Sequence, residues 1–263
     1  ATASNVHYRD ITGNTVFFSN VERVHGMSVR CVKNTTKFSG GDGSAGNPYQ
    51  INTLNDLNEL AQSPETWDKH FIQTDNIVAT STSTFYEGAG WKPIGNDVKT
   101  FTGSYNGGDF TISELFINRG AENYQGLFGF AENANLSNIN LVTFGITGGQ
   151  TVGGLVGIVS NSVITNCHVE GNSTGSANWV GGLAGLSSSS TITQCHADVL
   201  VSSSGNTVGG LIGGINSSSV LYLSYSTGSV TGDKVGGLIG TCDGNSTISN
   251  CYSRAEVIGI GEE

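Results

Sequence analysis

Basic residues are scarce in this chain. Lys and Arg total 11 against 21 Asp and Glu, a formal net charge of −10. That argues against nucleic acid as a partner, because phosphate recognition needs a basic patch. It argues equally against an anionic membrane surface. No apolar run is long enough to span a bilayer, so no membrane insertion is expected. The opening ATASNVHYRD has no basic n-region or apolar stretch of a signal peptide. A mature chain, or a piece cut from a longer one, is the expectation. Charged residues make up only 12% and Pro numbers 3, whereas Gly numbers 39. Cytosolic enzymes carry more charge and more helix formers. A chain rich in Gly, Ser, Thr and Asn can be disordered, but the apolar residues here recur too regularly for that.

The recurrence has a fixed period. GLFG from Gly126, GLVG from Gly154, GLAG from Gly182, GLIG from Gly210 and GLIG from Gly237 follow one another at 28, 28, 28 and 27 residues. At the same period Leu136, Ile164, Ile192, Val220 and Ile248 line up, as do Ile139, Cys167, Cys195, Leu223 and Cys251. Val152, Val180 and Val208 form a third column, which Val235 joins one residue early. The residue missing before Gly237 is restored before Ile248. A helical repeat would place apolar residues at i, i+3, i+4 and i+7 and avoid glycine. Short β-prone runs broken by Gly, Ser and Asn instead predict an all-β fold, a parallel β-helix (β-solenoid) with coils of about 28 residues. Equivalent residues then stack in ladders about 4.8 Å apart.

The ladders give roles to single residues. A column that accepts Ile, Leu and Cys is interior, so Cys167, Cys195 and Cys251 are expected to be buried free thiols. Cys31 and Cys242 fall outside it, and an odd total argues against a disulfide framework. Strand side chains alternate. With Cys167 inward, His168 and Glu170 face outward, and the next coil sets His196 over His168 and Asp198 over Glu170. These four groups are the candidate metal ligands. The first reading of them is a solvated outer face, since the other coils place Asn140 and Val142, Ser224 and Ser226, and Tyr252 and Arg254 there. No nucleophile or second, differently tuned acid accompanies them, so no catalytic residue is assigned. No cofactor is expected. Asn138, Asn166, Gln194, Tyr222 and Asn250 read as a structural amide ladder. Ser137, Thr165, Thr193, Leu221 and Ser249 form a hydroxyl column too narrow and too interrupted for ice binding.

Upstream of the repeats the texture changes. After a Gly-rich turn and the short strand PYQI, Thr53 reads as a helix N-cap with Asp56 three residues on. Leu54, Leu57, Leu60 and Ala61 make one apolar helical face. A short helix here is a cap over the open edge of the first coil. HFIQTDNIVA (70–79) reads as a strand, and Asn106 to Asp109 as a tight turn between two strands. Asp42 and Asp109 sit in Gly-rich turns, but the acids are too sparse for a calcium loop. Trp67, Trp91 and Trp179 suit core packing or sugar stacking. The domains expected are 1–37, the last strands of a preceding domain plus a linker; 38–125, the cap and first coils; and 126–263, the regular coils.

The GLxG anchors followed by ITNC, ITQC or ISNC resemble the GLUG repeats of bacterial surface and secreted proteins. GGDGSAGNPYQINTLNDLNELA, WKPIG, FTGSYNGGDFTISELFIN and YQGLFGF extend the resemblance over roughly residues 38 to 260. It departs after FIQTDN, where relatives often carry an acidic stretch. HGMSVRCVKN (25–34) resembles the closing strand of the Fibrobacter and Bacteroidetes major paralogous domain. The terminal AEVIGIGEE shows no evident cap for the last coil, which suits a chain cut from a longer exported protein. The resemblance implies an extracellular or cell-surface place and a role in adhesion, spacing or display. GLUG repeats also accompany immunoglobulin-cleaving metallopeptidases, but the HExxH zinc helix is missing here. The expectation is a non-enzymatic β-solenoid whose partner is a host or environmental surface, a polysaccharide or a protein. The alternatives are a self-assembling fibre subunit that associates through its chain ends and a polysaccharide-binding or polysaccharide-cleaving β-helix.

Overall fold

The computed structural model describes residues 6–12, 15–21 and 37–260. The chain divides into two compact units, Ala1–Thr36 and Lys37–Glu263. In the first, Val6–Thr12 pairs antiparallel with Thr15–Val21. Cys31 and the HGMSVRCVKN segment lie outside the described residues.

The second unit is a parallel β-solenoid. One wall runs through Tyr49–Ile51, His70–Gln73, Ser104–Asn106, Asn135–Ser137, Val163–Thr165, Thr191–Thr193, Val220–Tyr222 and Thr247–Ser249. A second wall is built on Thr111–Ser113, Asn140–Gly148, His168–Gly175, His196–Ser203 and Tyr225–Gly232. The third contains Phe128–Glu132, Val156–Ser160, Ala184–Ser188, Ile212–Asn216 and Ile239–Cys242. HFIQTDNIVA is not one strand. His70–Gln73 joins the first wall and Ile77–Val78 the second, because the chain turns a solenoid corner between them. Asn106 to Asp109 is likewise a corner between walls.

The helix Leu54–Gln62 forms where the sequence places it. Thr53 Oγ1 accepts from the Asp56 N–H at 3.2 Å and Asp56 Oδ2 accepts from the Thr53 N–H at 2.9 Å, a complete capping box. Its buried Leu57, Leu60 and Ala61 face the coil stack. The Trp67 indole N–H donates to Leu60 O and satisfies a terminal carbonyl. At this end the interior is aromatic, with Phe38, Tyr49, Phe71, Phe101, Phe128 and Tyr105 in successive ring contacts. Towards the C-terminus it becomes aliphatic and narrower. The inward column falls from Leu141 to Val169 to Ala197 and stays small at Ser226 and Ser253.

The two glycines of GLxG answer to close approach. A Cβ on Gly154 would meet Gly182 O at 2.7 Å, the backbone of the next coil. A Cβ on Gly185 would meet Thr151 C at 2.7 Å and Trp179 O at 2.8 Å, because the segment entering each coil crosses over this position. The leucine between them, as in Leu155, Leu183 and Leu211, is fully buried.

The structure corrects the register of one coil. Thr191, Ile192 and Thr193 pair with Val220, Leu221 and Tyr222. Leu221, not Val220, fills the interior column, and Tyr222 takes the hydroxyl column. The turn from Asn216 to Val220 is one residue longer than its predecessor, and Gly232 to Lys234 is two residues shorter than Ser203 to Thr207. The extra residue therefore precedes Leu221. Every downstream member of that coil moves by one. Leu223 belongs with the amide ladder, Ser224 with the cysteines, and Tyr225 and Thr227 replace Ser224 and Ser226 beside the histidines.

The corrected columns make chemical sense. Asn138, Asn166, Gln194, Leu223 and Asn250 all have φ between 48° and 54°. Amide side chains tolerate this left-handed corner best. In the next position Cys167, Cys195 and Cys251 donate to the carbonyl two residues back at 3.1–3.3 Å, and Ser224 does the same at 2.9 Å. The four cysteines among the described residues are free. Burial pushes the Cys167 thiol pKa up, and Cys195 beside it adds to the shift. Another corner carries a serine ladder. The N–H of Ala134 donates to Ser162 Oγ, that of Ser162 to Ser190 Oγ, and that of Ser190 to Ser219 Oγ, at 2.9–3.2 Å.

Three substitutions test this account by denaturant unfolding. Ser190→Ala strands the buried N–H of Ser162 and is expected to cost about 1–3 kcal/mol. Ser173 is fully buried and its hydroxyl has no partner, so Ser173→Ala is expected to stabilise by about 1 kcal/mol. Leu223→Asn relieves a left-handed leucine that is half exposed, with a gain of about 1 kcal/mol. Equal effects of the two serine changes would contradict the ladder.

Candidate functional site

The second wall presents the outward residues named by the sequence. His168 pairs with His196 and Glu170 with Asp198, so the expected juxtaposition exists. The corrected register continues it. Asn140, His168, His196, Tyr225 and Tyr252 form one column. The His168 and His196 rings stack at 4.0 Å, His196 and Tyr225 at 4.8 Å, and Tyr225 and Tyr252 at 5.0 Å, with interplanar angles of 17°, 9° and 3°. Arg254 lies 5.7 Å over the last ring. The tyrosines escape a fixed 28-residue reading, although their own 27-residue separation in the sequence repeats that of Gly210 and Gly237.

The ladder fixes the histidine chemistry. Asn140 Nδ2 donates to Thr111 Oγ1 at 3.0 Å, which turns Asn140 Oδ1 towards His168 Nδ1, also at 3.0 Å. The imidazole hydrogen is thus assigned to Nδ1. With the rings face to face, the two histidines present parallel edges rather than converging lone pairs. Among the described residues no three of His, Cys, Asp and Glu come together to hold a metal. Glu170 and Asp198 lie side by side and exposed along a depression of about 400 Å³ shared with Thr143, Asn172 and Leu200. Asp42 and Asp109 serve their own corners. Asp42 Oδ1 accepts from the Ser44 N–H at 2.9 Å, and the Ser44 hydroxyl and amide hold its pKa down. Asp109 takes a left-handed φ of 61° and meets Asn166 Nδ2 at 3.4 Å.

The charge on the ladder is set by its surroundings. Partial burial lowers the His168 pKa against the pull of Glu170 and Asp198. Partial burial and then His168 bring His196 down to about 4. Both rings are neutral at pH 7, which permits them to stack.

Known proteins bear on the fold and on the repeats. Residues 148–174 match the GLUG motif family. The chain carries a GLUG motif. Halomucin of Haloquadratum walsbyi is 36% identical over 118 residues, 43% of this chain and 1% of that protein. A protein of Evansella cellulosilytica, provisionally named a Gly-rich membrane protein, is 36% identical over 106 residues, 40% of this chain and 12% of that protein. The match thus spans a small part of either relative. A solved structure from Bacteroides ovatus, provisionally named an immunoglobulin A1 protease, superposes with a TM-score of 0.55. It covers 86% of this chain and 87% of its own at 16% identity, which speaks for the β-solenoid alone.

The ring stack carries a pH dependence. Both histidine pKa values lie below that of an exposed imidazole, about 6.5, so the unfolded chain binds more protons between pH 6.5 and about 4. The pair's stability is present above pH 6.5 and is lost as the pH falls through that window. Thermal midpoints measured from pH 8 to pH 4 should fall more steeply for the native chain than for the double variant H168Q/H196Q. Parallel curves would show that the rings are not held neutral.

Proposed function

We propose that the chain is a non-enzymatic β-solenoid module of an extracellular or cell-surface protein, acting as a spacer, display element or adhesin. The observation that carries this reading is the stack itself. Parallel pairing runs from Tyr49 to Gly259, and each coil adds about 4.8 Å of hydrogen-bonded length. Such a body holds what it carries at a fixed distance and resists local unfolding. The outward groups support the same reading, because the histidines and acids lie in parallel rows and do not surround a reacting atom. The Gly-rich membrane protein is named for a membrane setting, which fits an exported place. No helix among the described residues is long and apolar enough to cross a membrane.

Negative-stain microscopy of the purified chain over a concentration series tests the module. Dispersed short rods at every concentration are the expected result. Filaments with a regular axial repeat would replace the module with a self-assembling fibre subunit. Antibody labelling of intact source cells tests the location: signal without permeabilisation is expected, and signal only after permeabilisation would refute it.

A further inference from the structure

We infer that the face bearing Tyr124 and Trp179 binds an uncharged polysaccharide chain laid along the solenoid axis. The three tryptophans are not equivalent. Trp67 and Trp91 are buried, and their indole N–H groups donate to Leu60 O at 2.8 Å and Leu127 O at 3.2 Å. Trp179 is half-buried, and its N–H has no partner among the described residues. Its ring covers Gly214, where a Cβ would meet indole Cδ1 at 2.8 Å. A core role explains the first two and leaves the third unexplained.

Tyr124 occupies the same position two coils earlier. The Tyr124 N–H donates to Gln150 O and the Thr151 N–H to Asn178 O, which sets Tyr124, Thr151 and Trp179 in one row. The two aromatic residues are thus about 10 Å apart along the axis, two coil steps. That is the length of a short run of pyranose rings. All three have left-handed backbones, with φ of 61°, 56° and 62°. Bulky side chains rarely adopt this conformation, which marks a solenoid corner that holds the two aromatic residues in a fixed place.

The neighbouring amides are set for hydroxyl groups. Asn123 Oδ1 accepts from the Gln150 N–H at 3.0 Å and Asn178 Oδ1 from the Asn206 N–H at 2.9 Å. Their Nδ2 donors have no partner among the described residues and are held in fixed orientation. At the Tyr124 end a depression of about 310 Å³ adds Pro93 and Asn96, with Lys92, Asp97 and Glu122 on its lining.

Charge decides the class of ligand. From residue 143 to residue 232 the only Asp, Glu, Lys or Arg residues are Glu170 and Asp198, and both sit on the wall of the ring ladder. The row continues from Trp179 to Thr207 and Lys234, and Lys92, Asp97 and Glu122 line its Tyr124 end. Charges of both signs thus stand at the two ends, while the stretch from Thr151 to Thr207 offers an aromatic face and amide donors without a countercharge. Aromatic faces pack on the C–H faces of sugar rings, and amides pair with their hydroxyls. An acidic polysaccharide meets single lysines at the two ends of the row against the net charge of −10 on the whole chain. This goes beyond the module proposed above and stands or falls separately from it.

Tryptophan fluorescence of the full chain tests the inference, since Trp179 is the one accessible to quencher. The probes are neutral hexasaccharides of glucose, xylose and mannose, with an oligogalacturonate as the acidic counterpart. At least one neutral hexasaccharide should protect Trp179 from acrylamide and shift its emission to the blue. Trp179→Asn and Tyr124→Asn keep a residue that accepts left-handed φ, so both should fold with unchanged circular dichroism. Each should weaken the same oligosaccharide tenfold or more by calorimetry. The inference is overturned if no neutral probe protects Trp179, if the oligogalacturonate protects it equally, or if both folded variants bind as the native chain does.

Discussion

Hydrogen bonding from coil to coil is the constraint on which this protein depends. Each wall strand gives its backbone groups to the coils on either side, at one spacing, in one register. A residue is therefore judged by its stacked neighbours as much as by its chain neighbours. Columns that face inward are apolar or internally bonded, with the unpartnered Ser173 hydroxyl an exception among the described residues. The corner of Asn138, Asn166, Gln194, Leu223 and Asn250 takes the same left-handed turn in five coils. The glycines of GLxG belong to this constraint, since each stands where another segment passes too close for a side chain.

What the constraint leaves free is the outer surface. Each wall exposes one side chain in two, and stacking turns those residues into rows. On one wall the rows are imidazole, phenol and carboxylate. In the segment that precedes GLxG they are aromatic and amide. Neither gathers reactive groups around a point, because a ladder places like beside like at a constant interval. A surface of this kind suits extended partners better than small substrates, which need convergent walls.

The period, the inward columns of the coils before Leu221, the helix with its Thr53 and Asp56 cap and the pairing of His168 with His196 were legible in the sequence. They rest on local patterns repeated many times. Cys251, expected to be buried, is only half-buried. The register of the coil around Leu221 was not legible, because one added and two removed residues fall inside turns whose Ser and Gly content tolerates either placement. The buried Ser226 in a column of Leu, Val and Ala made the error harder to see. A serine normally marks the outside, but here its hydroxyl donates to Gly237 O at 2.7 Å. The tyrosine half of the ring ladder was lost with that register. The bend at Thr74 to Asn76 was missed inside an otherwise β-prone run, although Asp75 and Asn76 are turn residues that could have marked it.

The long turn at Ser217 and Ser218 has a consequence for how such a protein changes over generations. Its extra residue shifts no ladder; both serines take left-handed backbones and the strands on each side stay paired. Length is rigid in the walls and free at the corners. Duplication of a whole coil extends the molecule, whereas small insertions at a corner decorate it. New recognition loops can thus be acquired one at a time on an unchanged frame.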